Sequence, residues 1–463
     1  MRLAIVIMAA GKGTRLKSQR PKVLHEIGGK PLLAHVIAAA SKIVSPADIY
    51  VVVGHQAERV EAALASTSVN FVLQSEQLGT GHAIQCAQQA ITRYDHILVL
   101  SGDVPLIRPQ TIQKLWDFHQ TQYADMTLLT AIPENPYGYG RVIRKNDSVE
   151  VSAIVEQKSL LPNQQNLPEI NSGIYAFNTA ALLQHLKELA ANNSQGEYYL
   201  TDMAQILTSA GKRVVAITAP DITEVLGANT IAELVALDST LRANIASRLM
   251  AQGVTIFRPE TCTIDPDVEV GPDTVIEPCV QLLKGTRIGS DCLIRSGSMI
   301  ENSIIADNVT VRNHCVIEDS SIGSGAKIGP FAHLRMGSEI GEDAHVGNYV
   351  ETKKARMGKG AKANHLTYLG DAEIGAGSNI GAGVITCNYD GVNKHRTVIG
   401  ERVFVGSDST LVAPISVGDG AYIGAGSCIT REVPADALAV GRSRQFTKEG
   451  WAAAKRARMN KEC

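Results

Sequence analysis

The chain has 463 residues, 44% of them hydrophobic, with 41 glycines but only 7 Phe and 2 Trp, and a formal charge of -2. That length exceeds one ordinary core, so two or three domains packed with small and branched aliphatic side chains are expected. Near-neutral charge gives no reason to expect nucleic acid or a membrane as partner. Eight cysteines without a C-x-x-C pair support neither a disulfide framework nor a zinc knuckle, as in a protein of the reducing cytoplasm.

The first aliphatic run, Leu3 to Ala10, is too short to span a bilayer. It has no basic leader and ends in a glycine turn, so it reads as a buried strand, not a signal peptide. Similar β-branched runs follow at 49–54, 70–74, 97–103 and 126–132, separated by helix-forming stretches such as "PLLAHVIAAASKI" and "GHAIQCAQQAIT". Strand–helix alternation predicts βαβ units and a mostly parallel sheet over residues 1–228. From 229 to 252 the period changes. Ile231, Leu234, Leu237, Leu241, Ile245 and Leu249 form one helical stripe ending before Gly253, which reads as a linker.

Residues 253–440 then repeat every six positions. Ile264, Val270, Ile276, Leu282, Ile288, Ile294 and Ile300 form one register. Ile322 to Val346 and Ile399 to Ile429 form two more. A six-residue aliphatic period is the signature of a parallel β-helix whose corners stack into a continuous core. Two segments interrupt it, "MGKGAKANHLTYLGDAE" and "TCNYDGVNKHRT". The tail, 441–463, leaves the pattern, carries a basic cluster and reads as a partly ordered, solvated end.

Chemistry first shows where strand "LAIVIMAA" meets "GKGTRLKSQRPK". A turn with Gly11 and Gly13 lets backbone N–H groups approach a phosphate, and a following helix start adds its dipole. Leu16 stands where a dinucleotide fingerprint needs glycine, and no P-loop is present. Arg15 and Lys22 add two cations, a combination suited to a triphosphate that loses pyrophosphate. Asp103 ends the strand "LSGD", where a magnesium ligand would sit.

In this order of motifs, "AAGKGTRL…PK", "LQSEQLGTG" and "LSGDVPL", the chain resembles the sugar-nucleotide pyrophosphorylases. With its hexapeptide half it is similar to the bacterial family of bifunctional N-acetylglucosamine-1-phosphate uridyltransferase/glucosamine-1-phosphate N-acetyltransferases. The resemblance implies a Rossmann-like α/β nucleotidyltransferase domain followed by a left-handed parallel β-helix. It implies that Met8, Ala9, Ala10 and Gly11 line the nucleotide site and that Gly11 to Arg15 and Lys22 hold UTP phosphates. Gln74, Gly79 and Thr80 would read uracil, Gly140, Glu156 and Asn171 would hold N-acetylglucosamine, and Asp103 and Asn229 would hold Mg²⁺. Met8 replaces a more usual Leu, and Ser101 stands where an aromatic is common.

In the repeat half, Lys353 and Arg335 lie close to His365 and Tyr368 in the stack, which suggests a pocket for an anionic substrate that must lose a proton. Acetylating an amine from a thioester needs a base, and an imidazole, with an ordinary pKa near 6.5, suits that task. The resemblance implies that His365 is that base. It places Arg335 and Lys353 on the phosphate of glucosamine-1-phosphate, and Tyr368, Asn379 and Asn388 on its sugar. It places Tyr389, Ala382, Ser407, Ala425 and Arg442 along acetyl-CoA. It further implies a cytoplasmic homotrimer. Two rival readings share the architecture. A monofunctional pyrophosphorylase with a regulatory β-helix needs neither "NHLTYLGD" nor "CNYDG". A non-catalytic regulatory subunit has no use for Arg15, Lys22 and Asp103.

Overall fold

In the computed structural model, which describes residues 1–146, 148–193 and 196–459, the chain forms two compact units, Met1–Arg242 and Ala243–Cys463. The first begins with β1 (Leu3–Met8), a short hairpin of β2 (Glu26–Ile27) and β3 (Lys30–Pro31), and α1 (Leu32–Ala40). There follow β4 (Ile49–Val53), α2 (Ala57–Ala63), β5 (Asn70–Leu73) and α3 (Thr80–Ile91). Next come β6 (His96–Ser101), α4 (Pro109–Thr121) and β7 (Met126–Ala131). The unit continues with β8 (Arg141–Arg144), β9 (Val151–Val155), β10 (Ile170–Asn178), α5 (Thr179–His185), α6 (Met203–Ser209) and β11 (Val214–Thr218).

The main sheet runs β11-β7-β10-β6-β1-β4-β5, with β8 and β9 added beside β10. β1 pairs in parallel with both β4 and β6. Its run is apolar throughout because both faces are covered. Ala4 and Val6 pack in the layer with Ile84 and Ala87 of α3, while Ile5 and Ile7 pack with Leu33 and Val36 of α1. Each fully buried Val, Leu or Ile side chain among them contributes about 1.5–3 kcal/mol. β10 pairs antiparallel with β6 and β7, and β8 with β9. The strand–helix alternation gave no sign of this antiparallel insert, since no helix separates these strands.

The predicted linker is α7 (Ile231–Ala251), and the division between the units falls inside it. Gly253, at φ 92°, follows its end. Leu237, Ile245 and Leu249 of the expected stripe are buried, but Ile231 is 48% exposed. The helix therefore buries its stripe only from its second turn onward.

The second unit is a three-faced parallel β-helix. Two-to-four-residue strands stack into sheets of 11, 10 and 9 strands, all parallel. Every aliphatic of the three predicted registers is buried. The registers are offset from one another because some sides contain five residues, as from Ile300 to Ile305 and from Ile317 to Ile322. One expectation is corrected here. "AKANHLTYLGD" is not a break: Lys362–His365 and Tyr368–Gly370 are ladder strands, with Ala363 and Leu369 fully buried inward. Ala363 hides the period because it is small. The true insertion is the segment before Thr397, since the Thr386 strand pairs directly with that of Leu411. The tail forms α8 (Trp451–Met459) with no buried residue, while 460–463 lie outside the described residues.

Candidate functional sites

Parallel strands place their carboxyl ends on one edge, and a crevice opens there where neighbouring strands are reached in opposite directions. β1 occupies that point between β4 and β6. A cavity of about 530 Å³ lies at this edge, lined by Met8, Ala9, Ala10, Gly11, Lys22, Gln74, Gly79, Thr80 and Asp103 from the sequence prediction. A second cavity of about 630 Å³ holds Arg15, Glu156 and Asn171, and shares Met8, Thr80, Ser101 and Glu197 with the first. The expected helix after Gly13 is a single 3₁₀ turn, Thr14–Leu16, too short to supply a dipole. Positive potential at this edge comes instead from Arg15 and Lys22.

Asn229 is brought to these cations from far along the chain. Arg15 Nη2 donates to Asn229 Oδ1 at 2.7 Å, and Lys22 Nζ donates to the same oxygen at 2.7 Å. Lys22 also pairs with Asp103 Oδ2. A Cβ on Gly227 would stand 3.0 Å from Asp103 Oδ2, so a larger residue would crowd the carboxylate where this segment passes. Thr230 and Glu233 then close a capping box: Glu233 N donates to Thr230 Oγ1, and Glu233 Oε2 accepts from Asn229 N and Thr230 N. That T-x-x-E spacing is legible in the sequence. One ammonium thus touches both Asp103 and Asn229 oxygens, so the pair fits an oxygen-preferring divalent cation whose other ligands come from phosphates and water. Among the described residues no three His, Cys, Asp or Glu converge as a metal cage.

In the second cavity, Asn171 N donates to Gly140 O at 2.9 Å, and Asn171 Nδ2 to Tyr175 Oη at 2.8 Å. A bulge between Asn171 and Ile174 sets off this end of β10. Glu156 accepts from Thr201 Oγ1 at 3.3 Å. Burial raises the Glu156 pKa, Asp202 adds to the rise, and the Thr201 hydrogen bond opposes it. Tyr175, Glu197, Tyr199 and Thr201 line this cavity but were missed, because no local pattern marks them.

In the β-helix, a column climbs one corner. Val346, Ala363, Ile380, Val405 and Ile423 pair in successive coils. Two residues beyond each stand Asn348, His365, Ala382, Ser407 and Ala425. Their carbonyls accept in turn from Leu366, Gly383, Asp408 and Gly426, and Arg442 Nη1 donates to Ala425 O at 2.7 Å. His365 Nδ1 and Asn348 Oδ1 are 2.8 Å apart. Past His365 the chain turns onto the next face, where Tyr368 pairs with Glu351 and Lys353 with Gly370.

Arg335 lies one coil below Lys353 and binds Glu351 at 2.8 Å. The Lys353 pKa is lowered, chiefly by contact with Lys394 and then by Arg335. Three cations therefore gather at this end of the face. Lys394 was missed because it reaches the others only through the inserted loop. Asn388 is buried nearby and donates to Asp371 Oδ2 at 2.6 Å.

Two predicted residues fall elsewhere. Asn379 sits on the sheet that carries the strand Lys362–His365, paired with Lys362 and Phe404, and not on the face of Tyr368. Tyr389 bridges Lys394 within the insertion and lies off the Ala382–Ser407–Ala425 column.

Comparison with known proteins agrees with two different heads. A MobA-like NTP transferase domain matches residues 5–196, a GMPPB C-terminal domain 258–357, and a hexapeptide repeat of succinyl-transferase 396–431. The bifunctional protein GlmU of Koribacter versatilis is 59% identical over 100% of this chain and 99% of its own. That of Solibacter usitatus is 50% identical over 98% and 97%, and that of Streptococcus agalactiae serotype V 46% over 96% and 97%. A UDP-glucose pyrophosphorylase solved with UDP-glucose is similar over 53% of this chain and 100% of its own, at 19% identity and a TM-score of 0.42.

Proposed function

The chain belongs to the bifunctional GlmU family, and from that premise we propose how its residues divide two reactions. It is a transferase that acetylates glucosamine-1-phosphate from acetyl-CoA. It then joins the resulting N-acetylglucosamine-1-phosphate to the uridylyl group of UTP, releasing pyrophosphate and forming UDP-N-acetylglucosamine. The second reaction takes place in the nucleotidyltransferase domain and the first on a left-handed parallel β-helix. On this reading the domains are 1–228 and 253–440, with a helical linker, 229–252, and a tail, 441–463.

In uridylyl transfer, a phosphate oxygen of the sugar attacks the α-phosphorus in line. No side-chain base is needed, since that oxygen is already anionic. Arg15 and Lys22 stabilise charge on the departing pyrophosphate, and the backbone around Gly11 seats the phosphates. Gln74, Gly79 and Thr80 hold the base, and Gly140, Glu156 and Asn171 hold the sugar. Asp103 and Asn229 would hold Mg²⁺, which when bound neutralises charge shared by the reacting phosphates.

In acetyl transfer, Arg335, Lys353 and Lys394 take the phosphate of glucosamine-1-phosphate, with Tyr368 and Asn388 beside its ring. His365 removes a proton from the 2-amine, which attacks the thioester carbonyl and expels CoA. Ser407 and the backbone along the Ala382–Ala425 corner line the acetyl-CoA path, with Arg442 and Tyr389 at its margins. One observation carries this assignment: a histidine with one nitrogen committed to Asn348 stands at the corner that leads to the Tyr368 strand, which pairs with the strand of Lys353 in a cluster of three cations. Its test is a coupled assay with glucosamine-1-phosphate, acetyl-CoA and UTP. UDP-N-acetylglucosamine should form only when all three are present. Nucleotide transfer without any CoA release would leave a monofunctional pyrophosphorylase.

We further propose a cytoplasmic homotrimer whose acetyl site is shared. The position of Asn379 off the face of Tyr368 supports this, since from there it meets the sugar held by a neighbouring copy. So does an exposed stack beside the His365 corner. Phe331 lies 5.3 Å from both His314 and Tyr349, and Leu366, 63% exposed, follows in the next coil. Sedimentation should give three copies. Mixing inactive His365→Ala and Asn379→Ala proteins should restore part of the activity, which sites built within single copies could not do.

A further inference from the structure

Behind the base-binding end of the nucleotide cavity, Gln74 is 2% exposed, and its side-chain nitrogen faces two acceptors. Nε2 lies 3.1 Å from Gly79 O and 3.0 Å from His82 Nδ1. A carbonyl oxygen can only accept, so the amide's NH₂ group must be the end that faces Gly79. Gly79 is fixed in that pose: its φ is 110°, and a Cβ there would lie 2.5 Å from Tyr198 O. The second N–H of Gln74 then goes to His82, whose Nδ1 must accept. The ring proton therefore sits on Nε2, which lies 3.8 Å from Cys86 Sγ. Both donors of Gln74 are thus consumed by the protein. What remains for a ligand is one acceptor, Oε1.

The pairing edge of uracil offers a single donor, N3–H, between two carbonyl oxygens. Cytosine has an unprotonated N3 at the same place. An amide that can only accept therefore matches uracil at N3 and opposes a lone pair to cytosine there. We propose that His82 is a positioning residue that makes the nucleotide site select uracil over cytosine, by occupying the second N–H of Gln74 and holding Oε1 as the base-reading atom. The inference rests on the reading of Gln74 as a base contact. His82 itself touches neither phosphate nor sugar in this scheme, so it governs which base is accepted and not how fast phosphorus is attacked. It is held at the first turn of α3, where Thr80 Oγ1 accepts from Leu200 N at 2.9 Å and fixes the start of that helix.

The test uses the full-length protein with N-acetylglucosamine-1-phosphate saturating, and compares kcat/KM for UTP with kcat/KM for CTP. His82→Ala leaves a buried N–H without an acceptor and should lower the UTP/CTP ratio about tenfold, with the change mainly in KM for UTP. His82→Asp places an acceptor-only atom at the Nδ1 position and should return the ratio to within about threefold of the parent, even if both nucleotides bind less well. A merely structural histidine would show no such rescue. Circular dichroism on each variant checks the fold, and Asp at this position suits a helix start. If His82→Ala keeps the parent ratio, or if the Ala and Asp variants lose it alike, the proposal is wrong. Gln74→Ala separates the premise: if that variant keeps full preference for UTP, Gln74 does not read the base, and the failure lies there.

Discussion

Nδ1 of His365 and Oδ1 of Asn348, one coil apart at the same corner, are joined by a 2.8 Å hydrogen bond. An amide oxygen only accepts, so Nδ1 carries the proton and Nε2 keeps the lone pair that a base needs. His365→Ala should therefore lower acetyl transfer by about 10²–10⁴-fold and leave uridylyl transfer unchanged. Asn348→Ala, which keeps the ring but frees its tautomer, should cost about tenfold in kcat. Turnover at saturating substrates, with circular dichroism as a check on the fold, decides. A near-parental rate for His365→Ala would move the base elsewhere.

Lys22 holds both Asp103 and Asn229, and none of the three belongs to the β-helix face that carries His365. Lys22→Ala or Asp103→Ala should abolish UDP-sugar formation while CoA release continues at its parental rate. Loss of CoA release in either folded variant would contradict two independent sites.

The three cations gathered around Lys353 have a different signature. If they hold the substrate phosphate as proposed, remote from the reacting amine, Lys353→Ala and Lys394→Ala should each raise KM for glucosamine-1-phosphate by about tenfold or more with a smaller change in kcat. A pure kcat effect would place them at the chemistry instead.

His119 supplies a stability test. It is 1% exposed, accepts or donates to Thr127 Oγ1 at 2.8 Å and lies 3.1 Å from His96 Nδ1. Burial, and then repulsion by His96, push its pKa down from 6.5 to about 3. Between those values the unfolded chain binds a proton that the folded one refuses, so stability falls as pH drops from 6.5 toward 3. The thermal midpoint of the first unit should follow that slope. His119→Asn should flatten it even while lowering the midpoint at neutral pH. An unchanged slope would show that other groups govern the acid limb.

Much of this protein was legible because periodicity is a local property. Ile264 to Ile300 and Ile399 to Ile429 face inward at every sixth position, and an inward position must be apolar whatever surrounds it. The buried strands ending at Met8 and Ser101 were legible for the same reason, whereas β5, at the edge of the sheet, ends at Leu73 and buries none of its residues. Reading failed where inward positions need only be small. Ala363 is fully buried yet resembles a loop residue, so a continuous coil read as an interruption.

Convergence is not local at all. Asn229 meets Arg15 and Lys22 across more than two hundred residues because parallel strands deliver their ends to one edge and Gly227 lets a returning segment pass Asp103. Asn348 meets His365 because a coil of the β-helix returns each corner to the same place, and Lys394 meets Lys353 because the inserted loop carries it there. By itself the sequence determined which residues face inward and which motifs carry charge. Which side chains touch, which nitrogen of a histidine keeps its lone pair and which face Asn379 occupies were decided by tertiary structure, since each depends on distances that close only when remote segments are stacked.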